Sequence, residues 1–162
     1  MEKRRLFPIY CIDTSALINL SPQWNKDVYR RDVFPTIWEK LESMIKNEKL
    51  ISSREVYNEI KKRDDAISKW CDDNKKMFKD IDECQEERLK NIGKKYDVVY
   101  WDTLRKKEIW ADPWLVALSI CEDAIIVTDE KNTPNRIPGI AGYFNRQCIN
   151  LIDFFKNIGI KC

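Results

Sequence analysis

Two short and nearly unbroken apolar segments, each followed at once by acidic residues, set the strongest limit on how this chain can fold. The first, FPIYCI (residues 7–12), ends at Asp13, and the second, AIIVT (residues 124–128), ends at Asp129 and Glu130. Continuous apolarity over so few residues is typical of strands buried on both faces, as in a parallel sheet. Helical patterns lie between these segments, so the sequence predicts an α/β domain around a parallel sheet.

The remaining segments complete the prediction of one domain, because 162 residues can bury one sizeable core but not two. Residues 61–108 are dense in charges of both signs and predict a charged helical insert on the outside of domain 1–162. A capping box of Ser52 and Glu55 is expected to open one helix. Other helices are expected at 16–18, 32–49, 114–121 and after 151, strands at 50–51, 98–101 and 148–151, and a loop at 132–138.

The composition excludes several reaction classes. Because the chain has no histidine, a Ser-His-Asp triad, a Cys-His dyad, a His-ligated zinc and a paired-histidine ribonuclease site are impossible. The four glycines are scattered, so neither a P-loop nor a dinucleotide fingerprint can be written. The net charge of +2 gives no bulk signal for nucleic acid or membrane. Carboxylates remain the abundant reactive groups.

Cysteine and hydropathy patterns predict a reducing compartment. The six cysteines include no Cys-x-x-Cys pair, and Cys11 and Cys121 lie in apolar segments as expected of small buried side chains. The first apolar segment stops at Asp13, too early for a signal peptide, and no segment approaches the roughly 18 apolar residues of a spanning helix. We therefore expect a cytoplasmic protein with free thiols and no membrane partner.

Acidic residues occur where the predicted strands end. Asp13 and the pair Asp129-Glu130 follow strands directly, while Glu59 and Asp112 line or start helices that follow strand ends. Ligands bind beyond the carboxyl ends of such strands, and converging carboxylates repel one another unless a cation lies among them. Oxygen ligands alone favour Mg²⁺ or Mn²⁺.

Each acid also has a purely structural interpretation. Asp13 could cap the helix that follows it, and Asp112 stands where a helix N-cap is expected, with Pro113 at the first helical position. Glu59 could pair with Arg63, four residues later, and Asp129 and Glu130 could be ordinary turn residues. Glu55 is left out of the candidate site as the capping-box partner of Ser52.

Four segments, in order, resemble the motifs of PIN-domain ribonucleases. They are YCIDTSALINL with Asp13, SSREVYNEI with Glu59, ADPWLVALSI with Asp112, and IIVTDE with Glu130. The resemblance is strongest to a bacterial PIN-like subfamily akin to VapC-type toxins, with an Asp-Pro third motif and a Thr-x-Glu fourth motif. The chain departs from the usual pattern by having Glu130 in place of Asp and by its long insert at 61–108.

This resemblance implies a five-stranded parallel sheet flanked by helices on both faces and a Mg²⁺ or Mn²⁺ site that cleaves RNA. Asp13 would be the central ligand, Asp112 and Glu130 would complete the ligand set, and Glu59 would orient a water or a second ion. The supporting residues would be Thr14, Ser15, Thr128 and Asp129. A role as the toxin of a toxin–antitoxin pair would add a small antitoxin partner and a homodimer.

Strand geometry favours Glu130 over Asp129 as the fourth acidic residue of the candidate site. Side chains alternate along a strand, so Thr128 and Glu130 share a face if the pleat persists, while Asp129 points away. We therefore expect Glu130 to belong to the site and Asp129 to be a turn or surface residue that tolerates change. The alternative is that the strand ends at Thr128 and the turn rotates Asp129 inward.

Cations and aromatic rings are needed if the substrate is RNA. Basic segments at 3–5, 61–63, 94–95 and 105–107 are candidates, although interleaved acids also fit a solvated surface. The tryptophans at core spacing are expected to pack, namely Trp38, Trp70 and Trp114, whereas Trp24, Trp101 and Trp110 are less constrained.

Two other functions fit parts of the pattern. A non-catalytic PIN-like module would bind RNA or a protein without holding a metal ion. A phosphatase of the haloacid dehalogenase type would also place an Asp after the first strand. That mechanism needs a second Asp two residues later, and Ser15 stands there.

Overall fold

The computed structural model describes residues 7–20, 34–106 and 110–160. In chain order the elements are β1 (Tyr10–Ile12), α1 (Thr14–Asn19), α2 (Pro35–Lys46), β2 (Leu50–Ser53), α3 (Arg54–Lys61), α4 (Ala66–Asp73), a 3₁₀ turn (Lys75–Met77), β3 (Phe78–Lys79), α5 (Glu83–Gly93), α6 (Val98–Lys106), α7 (Ala111–Glu122), β4 (Ile125–Val127), α8 (Ile137–Tyr143), β5 (Cys148–Ile149) and α9 (Leu151–Asn157).

The five strands form one parallel sheet in the order β3-β2-β1-β4-β5. In the middle strand, Cys11 is in register with Ile51 of β2 and with Ile126 of β4, and all three side chains are buried. The predicted α/β class and five-stranded parallel sheet are confirmed. Because the strands are parallel, the carboxyl ends of β1, β2 and β4 meet at one edge, which Asp13 occupies at its centre.

The core is built from the strands and the apolar faces of the helices around them. Phe154 of α9 packs on Tyr10 of β1, with ring centroids 4.9 Å apart. Trp38 of α2 meets Trp70 of α4 edge to face at 5.2 Å, and Trp114 of α7 is also buried. The packing role predicted for these three tryptophans is confirmed; Trp24 lies outside the described residues.

The charged segment 61–108 differs from its prediction. Residues 98–101 begin helix α6 instead of forming a strand, and the short edge strand β3 was not predicted. Three apolar side chains of this segment, Ile67, Met77 and Ile92, have 1% exposure or less. The segment therefore contributes to the core as well as to the surface, because several of its sparse apolar side chains point inward.

Two element boundaries also differ. Helix α2 ends at Lys46, and Glu48 adopts a positive φ of 59°, so the chain turns before β2 and not at 49 as predicted. The start of that predicted helix at 32–33 lies outside the described residues. The predicted loop 132–138 gives way to α8 from Ile137.

A disulfide between Cys84 and Cys121 joins α5 to α7. The prediction of free thiols is therefore wrong for these two residues, and Cys121 is not the small buried side chain that was expected. Spacing could not reveal the pair, since it depends on how two helices far apart in sequence pack together. Cys11, Cys71 and Cys148 are free, as predicted.

None of the described helices has the length and apolarity needed to cross a lipid bilayer.

Candidate functional site

Asp13 lies at the carboxyl end of the central strand and is almost entirely buried, with 1% exposure. Its backbone N–H donates to the carbonyl of Val127 at 2.9 Å, which fixes the residue between β1 and β4. It is also the N-cap of α1, because its side chain accepts a hydrogen bond of 3.4 Å from the N–H of Ser15. The capping interpretation of Asp13 is thus confirmed, although capping involves one carboxylate oxygen only.

The two carboxylate oxygens of Asp13 have different surroundings. Oδ2 accepts hydrogen bonds from the hydroxyls of Ser15 at 2.8 Å and Thr128 at 2.9 Å. Those hydroxyl oxygens accept in turn from the backbone N–H groups of Asp129 and Glu130. Oδ1 is buried and has no hydrogen-bond partner within the described residues. A buried carboxylate oxygen left without a donor is costly, so this atom is suited to a bound cation.

Asp112 occupies the first turn of α7 but does not cap it. The helix begins at Ala111 after Trp110, which makes no side-chain cap, so the predicted N-cap role of Asp112 and the first-position role of Pro113 are wrong. The Asp112 carboxyl instead forms a hydrogen bond with Glu130.

Glu130 lies in the segment after β4, and its side chain is only 15% exposed. Its Oε2 accepts from the N–H of Ile137 at 3.0 Å, at the start of α8, and its Oε1 is 3.8 Å from a guanidinium nitrogen of Arg136. With its bond to Asp112, Glu130 belongs to the acidic group. The structure thus brings together Asp13, Asp112 and Glu130, which we call the acidic cluster.

Glu59 lies on α3, and its charge raises the pKa of Asp112, which places it near the acidic cluster. Arg63, its alternative partner, donates to Asp65 at 2.8 Å. The helix is capped by Ser53, whose Oγ accepts from the N–H of Glu55 at 3.2 Å. The predicted Ser52–Glu55 capping box is wrong because β2 continues two residues further than expected, to Ser53, and Ser52 Oγ donates to the carbonyl of Ile12.

Asp129 turns away from the acidic cluster, but it is not the surface residue that was expected. Its Oδ1 accepts from the N–H of Leu151, at the start of α9, at 2.9 Å, and its Oδ2 accepts from the side-chain amide of Asn19. It therefore ties the end of β4 to two helices. Thr14, another predicted supporting residue, is buried, and its N–H bonds to Asp13.

Burial and the charges of neighbouring acids favour the protonated forms of Asp13 and Asp112. Burial, followed by the charge of Glu130, raises the pKa of Asp13 to about 7, against opposing hydrogen bonds from Ser15 and Thr128. Burial, followed by the charges of Asp13 and Glu130, raises the pKa of Asp112 to about 9. The protonated carboxyl of Asp112 then donates its hydrogen bond to Glu130. The cluster must therefore bind either protons or a cation near neutral pH.

The donor set fits a hard divalent ion, but the side chains are not arranged around one. Carboxylate oxygens are preferred by Mg²⁺ and Mn²⁺, and Oδ1 of Asp13 lacks a partner. In residues 7–20, 34–106 and 110–160, however, no group of three or more acidic, cysteine or histidine side chains is placed to hold a metal ion. Binding would require the hydrogen bond between Asp112 and Glu130 to open.

Sequence reasoning missed three residues near the acidic cluster. Tyr96 is 5% exposed, and its hydroxyl has no hydrogen-bond partner within the described part of the chain. Tyr100 stacks on Tyr96, and Arg136 approaches Glu130. The one available signal was the concentration of aromatic residues between 96 and 114 inside a charged segment.

The predicted basic segments are only partly described. In the described part, Lys61 pairs with Asp72, and the Lys95 ammonium lies 5.2 Å from the ring centroid of Tyr143. Segment 3–5 and residue 107 lie outside the described residues, and Trp101 and Trp110 pack against each other at 5.3 Å.

Comparison with known families gives one match. The model of the family DUF4411, described as a domain of unknown function, matches residues 10–162. The matched region begins at the first residue of β1 and includes all four acidic segments. A search of curated proteins finds no match to the chain.

Proposed function

The chain belongs to the DUF4411 family, and we propose that it is a metal-dependent endoribonuclease of the PIN-like type. Its substrate would be RNA, and the acidic cluster would hold Mg²⁺ or Mn²⁺. The observation that carries the proposal is the environment of Asp13, at the carboxyl end of the central strand. One of its oxygens is fixed by two hydroxyls and the other is buried and unpartnered, and the carboxyl group lies near those of Asp112 and Glu130.

The roles of the residues follow from their positions. Asp13, Asp112 and Glu130 would bind the ion, and Glu59 would orient a water molecule at the edge of the cluster. Ser15 and Thr128 hold Asp13 in one orientation, since each donates to the same oxygen and is itself fixed by a backbone N–H. A bound Mg²⁺ or Mn²⁺ would activate water and neutralise charge on the scissile phosphate.

The resemblance to VapC-type toxins extends the proposal to biological context. We infer a cytoplasmic toxin that a small antitoxin protein neutralises, and a homodimer as the active form. The toxin, antitoxin and homodimer inferences depend on the resemblance of the four acidic segments alone, whereas the cytoplasmic location is inferred from the cysteine and hydropathy patterns of the sequence.

One observation favours a second candidate, a PIN-like module that binds RNA or a protein without cleavage. The protonated carboxyl of Asp112 donates a hydrogen bond to Glu130, so these two side chains pair without a metal ion. If that pairing is more stable than metal binding, the protein would bind RNA without cutting it.

Cleavage of end-labelled single-stranded RNA by the full chain separates these candidates. We expect cleavage with Mn²⁺ or Mg²⁺ that disappears in EDTA, and a loss of orders of magnitude for Asp13→Asn. Asp73→Asn, an exposed residue at the end of α4, is the matched control and should behave as the wild type. Undiminished cleavage in EDTA would overturn the metal assignment, whereas RNA binding without Mn²⁺ binding or cleavage would favour the non-catalytic module.

A further inference from the structure

Helix α6 begins between the two segments that carry Asp112 and Glu130. The backbone N–H of Asp97, just before the helix, donates to the side chain of Asn135 at 3.0 Å, which joins it to the segment after Glu130. On the other side, Trp101 of α6 packs edge to face on Trp110, two residues before Asp112. The start of α6 is therefore a wall of the acidic cluster that the four acidic segments do not include.

That wall carries an aromatic stack formed by Tyr100, Tyr96 and Trp101. The ring centroids of Tyr96 and Tyr100 are 5.7 Å apart with an interplanar angle of 11°, and Tyr96 stacks on Trp101 at 5.5 Å. Tyr96 is buried within the stack, whereas Tyr100 and Trp101 are half-buried. Near-parallel rings of this kind end in an aromatic face on which another flat ring can stack.

The hydroxyl of Tyr96 is the polar feature of this stack. It is buried and has no partner in the described residues, although a buried tyrosine hydroxyl normally finds one. Burial raises the pKa of Tyr96, and the charges of Asp112, Tyr100, Glu130 and Asp13 raise it further, so Tyr96 lies near the acidic cluster. The Tyr96 hydroxyl is therefore a neutral hydrogen-bond donor without an acceptor. A substrate bound at the acidic cluster would supply that acceptor.

A cation lies near Tyr100, and two lysines directly precede Tyr96 in the sequence. Arg136 is close enough to lower the pKa of Tyr100, against the stronger effect of burial, and its side chain is 53% exposed. Lys94 and Lys95 are exposed immediately before Tyr96. Aromatic faces combined with cations are how proteins bind single-stranded nucleic acid, because every base has a face that can stack.

We propose that Tyr100 and Tyr96 form a nucleotide subsite for single-stranded RNA beside the acidic cluster. An unpaired base stacks on Tyr100, and the phosphate of that nucleotide accepts a hydrogen bond from the Tyr96 hydroxyl. This inference rests on the proposed function, because it specifies the substrate of that site as RNA with an unpaired base at the cleavage position. Duplex RNA, whose bases are already stacked, would not engage Tyr100.

The test is binding of the full chain, in EDTA, to a single-stranded RNA oligonucleotide with one 2-aminopurine base, whose fluorescence reports stacking. We expect Tyr100→Ala to weaken binding by roughly tenfold and to abolish the fluorescence change, while Tyr100→Phe keeps both. Tyr96→Phe should weaken binding several-fold and keep the fluorescence change. Wild-type affinity in either Tyr100→Ala or Tyr96→Phe would overturn the inference.

Val98→Ala is the matched control on the same helix. Val98 is 75% exposed, and at two residues from Tyr100 it does not face the same way. Equal losses for Val98→Ala and Tyr100→Ala would overturn the inference, since the effect would then belong to the helix as a whole. A duplex of the same sequence that binds as tightly as the single strand would also overturn it.

The outcomes separate this inference from the proposed nuclease activity. Loss of RNA binding in Tyr100→Ala without any cleavage by the wild type would support the subsite and contradict the nuclease. Metal-dependent cleavage by the wild type, with an unchanged KM in Tyr100→Ala, would support the nuclease and contradict the subsite. If the wild type bound no single-stranded RNA, both would be overturned.

Discussion

Asp112 is protonated near neutral pH because it is buried next to other acids. This protonation determines the expected effect of replacing Asp112 by Asn. Because burial and nearby acids raise the pKa of Asp112, its neutral form donates to Glu130 near neutral pH. An Asn side chain can make the same donation from its amide. We therefore expect Asp112→Asn to keep or raise the melting temperature at pH 8 and to lose metal-dependent cleavage by orders of magnitude. A lower melting temperature with full cleavage would instead assign Asp112 a structural role.

Asp129 and Glu130 are neighbours with opposite expected roles. Replacing Asp129 by Ala leaves the buried N–H of Leu151 without its acceptor, at a cost of about 1–3 kcal/mol in the free energy of unfolding. We expect Asp129→Ala to lower the melting temperature by several degrees and to retain Mn²⁺ affinity, as measured by calorimetry. Glu130→Gln keeps an oxygen for the N–H of Ile137 but removes the charge, so Mn²⁺ affinity should fall. If Asp129→Ala weakened Mn²⁺ binding and Glu130→Gln did not, Asp129 would be the metal ligand in place of Glu130.

For individual residues, the sequence predicted the positions of the acids that follow strands but not the hydrogen-bond partners of their side chains. The juxtaposition of Asp13 with Glu130 follows from strand order in a parallel sheet. The bonds of Asp129 to Asn19 and Leu151 depend on where α1 and α9 dock, which no local pattern specifies. Tyr96 and Tyr100 were missed for the same reason, because only the docking of α6 brings them to the acidic cluster.

Helices α5 and α7 are linked by the disulfide between Cys84 and Cys121, and this link holds the segment that includes α6. The two cysteines are 37 residues apart in sequence, and closing a loop of that length stabilises a native state by about 4 kcal/mol in the chain-entropy description. We expect Cys84→Ser to lower the melting temperature by about 8–16 °C. The free cysteine Cys148 gives the matched control, Cys148→Ser. A melting temperature of the wild type that does not change with reductant would contradict the prediction.

Element prediction succeeded where burial imposes a pattern and failed where tertiary packing decides. The β1 and β4 segments were recognisable because strands buried on both faces are apolar throughout. Residues 98–101, VVYW, have strand-like composition, yet Asp97 caps them as a helix by accepting from the N–H groups of Val99 and Tyr100. Val98 and Val99 are largely exposed in that helix, so their β-branched side chains do not reflect core packing.

The absence of histidine makes the pH dependence of the whole molecule unusually simple to interpret. No side chain of the 162-residue chain has an ordinary pKa between 5 and 8, so titration of the fold in that range reports perturbed groups. Among the residues that the structure describes, Asp13, with a pKa raised to about 7, and Asp112, with a pKa raised to about 9, are the carboxyls whose pKa is raised. Both have pKa values near 3.8 when the chain unfolds.

The sign of the effect follows from proton binding. Between about pH 4 and pH 9 the folded protein binds more protons than the unfolded chain, so its free energy of unfolding falls as the pH rises. We expect the melting temperature in EDTA to be several degrees lower at pH 8 than at pH 5.

Mn²⁺ replaces the protons, so it should restore more stability at pH 8 than at pH 5. Asp13→Asn and Asp112→Asn should each flatten the profile, whereas Asp73→Asn should leave it unchanged. A melting temperature in EDTA that rises from pH 5 to pH 8 would show that Asp13 and Asp112 are not protonated in the folded protein. Their electrostatic repulsion would then no longer support a cation bound among them.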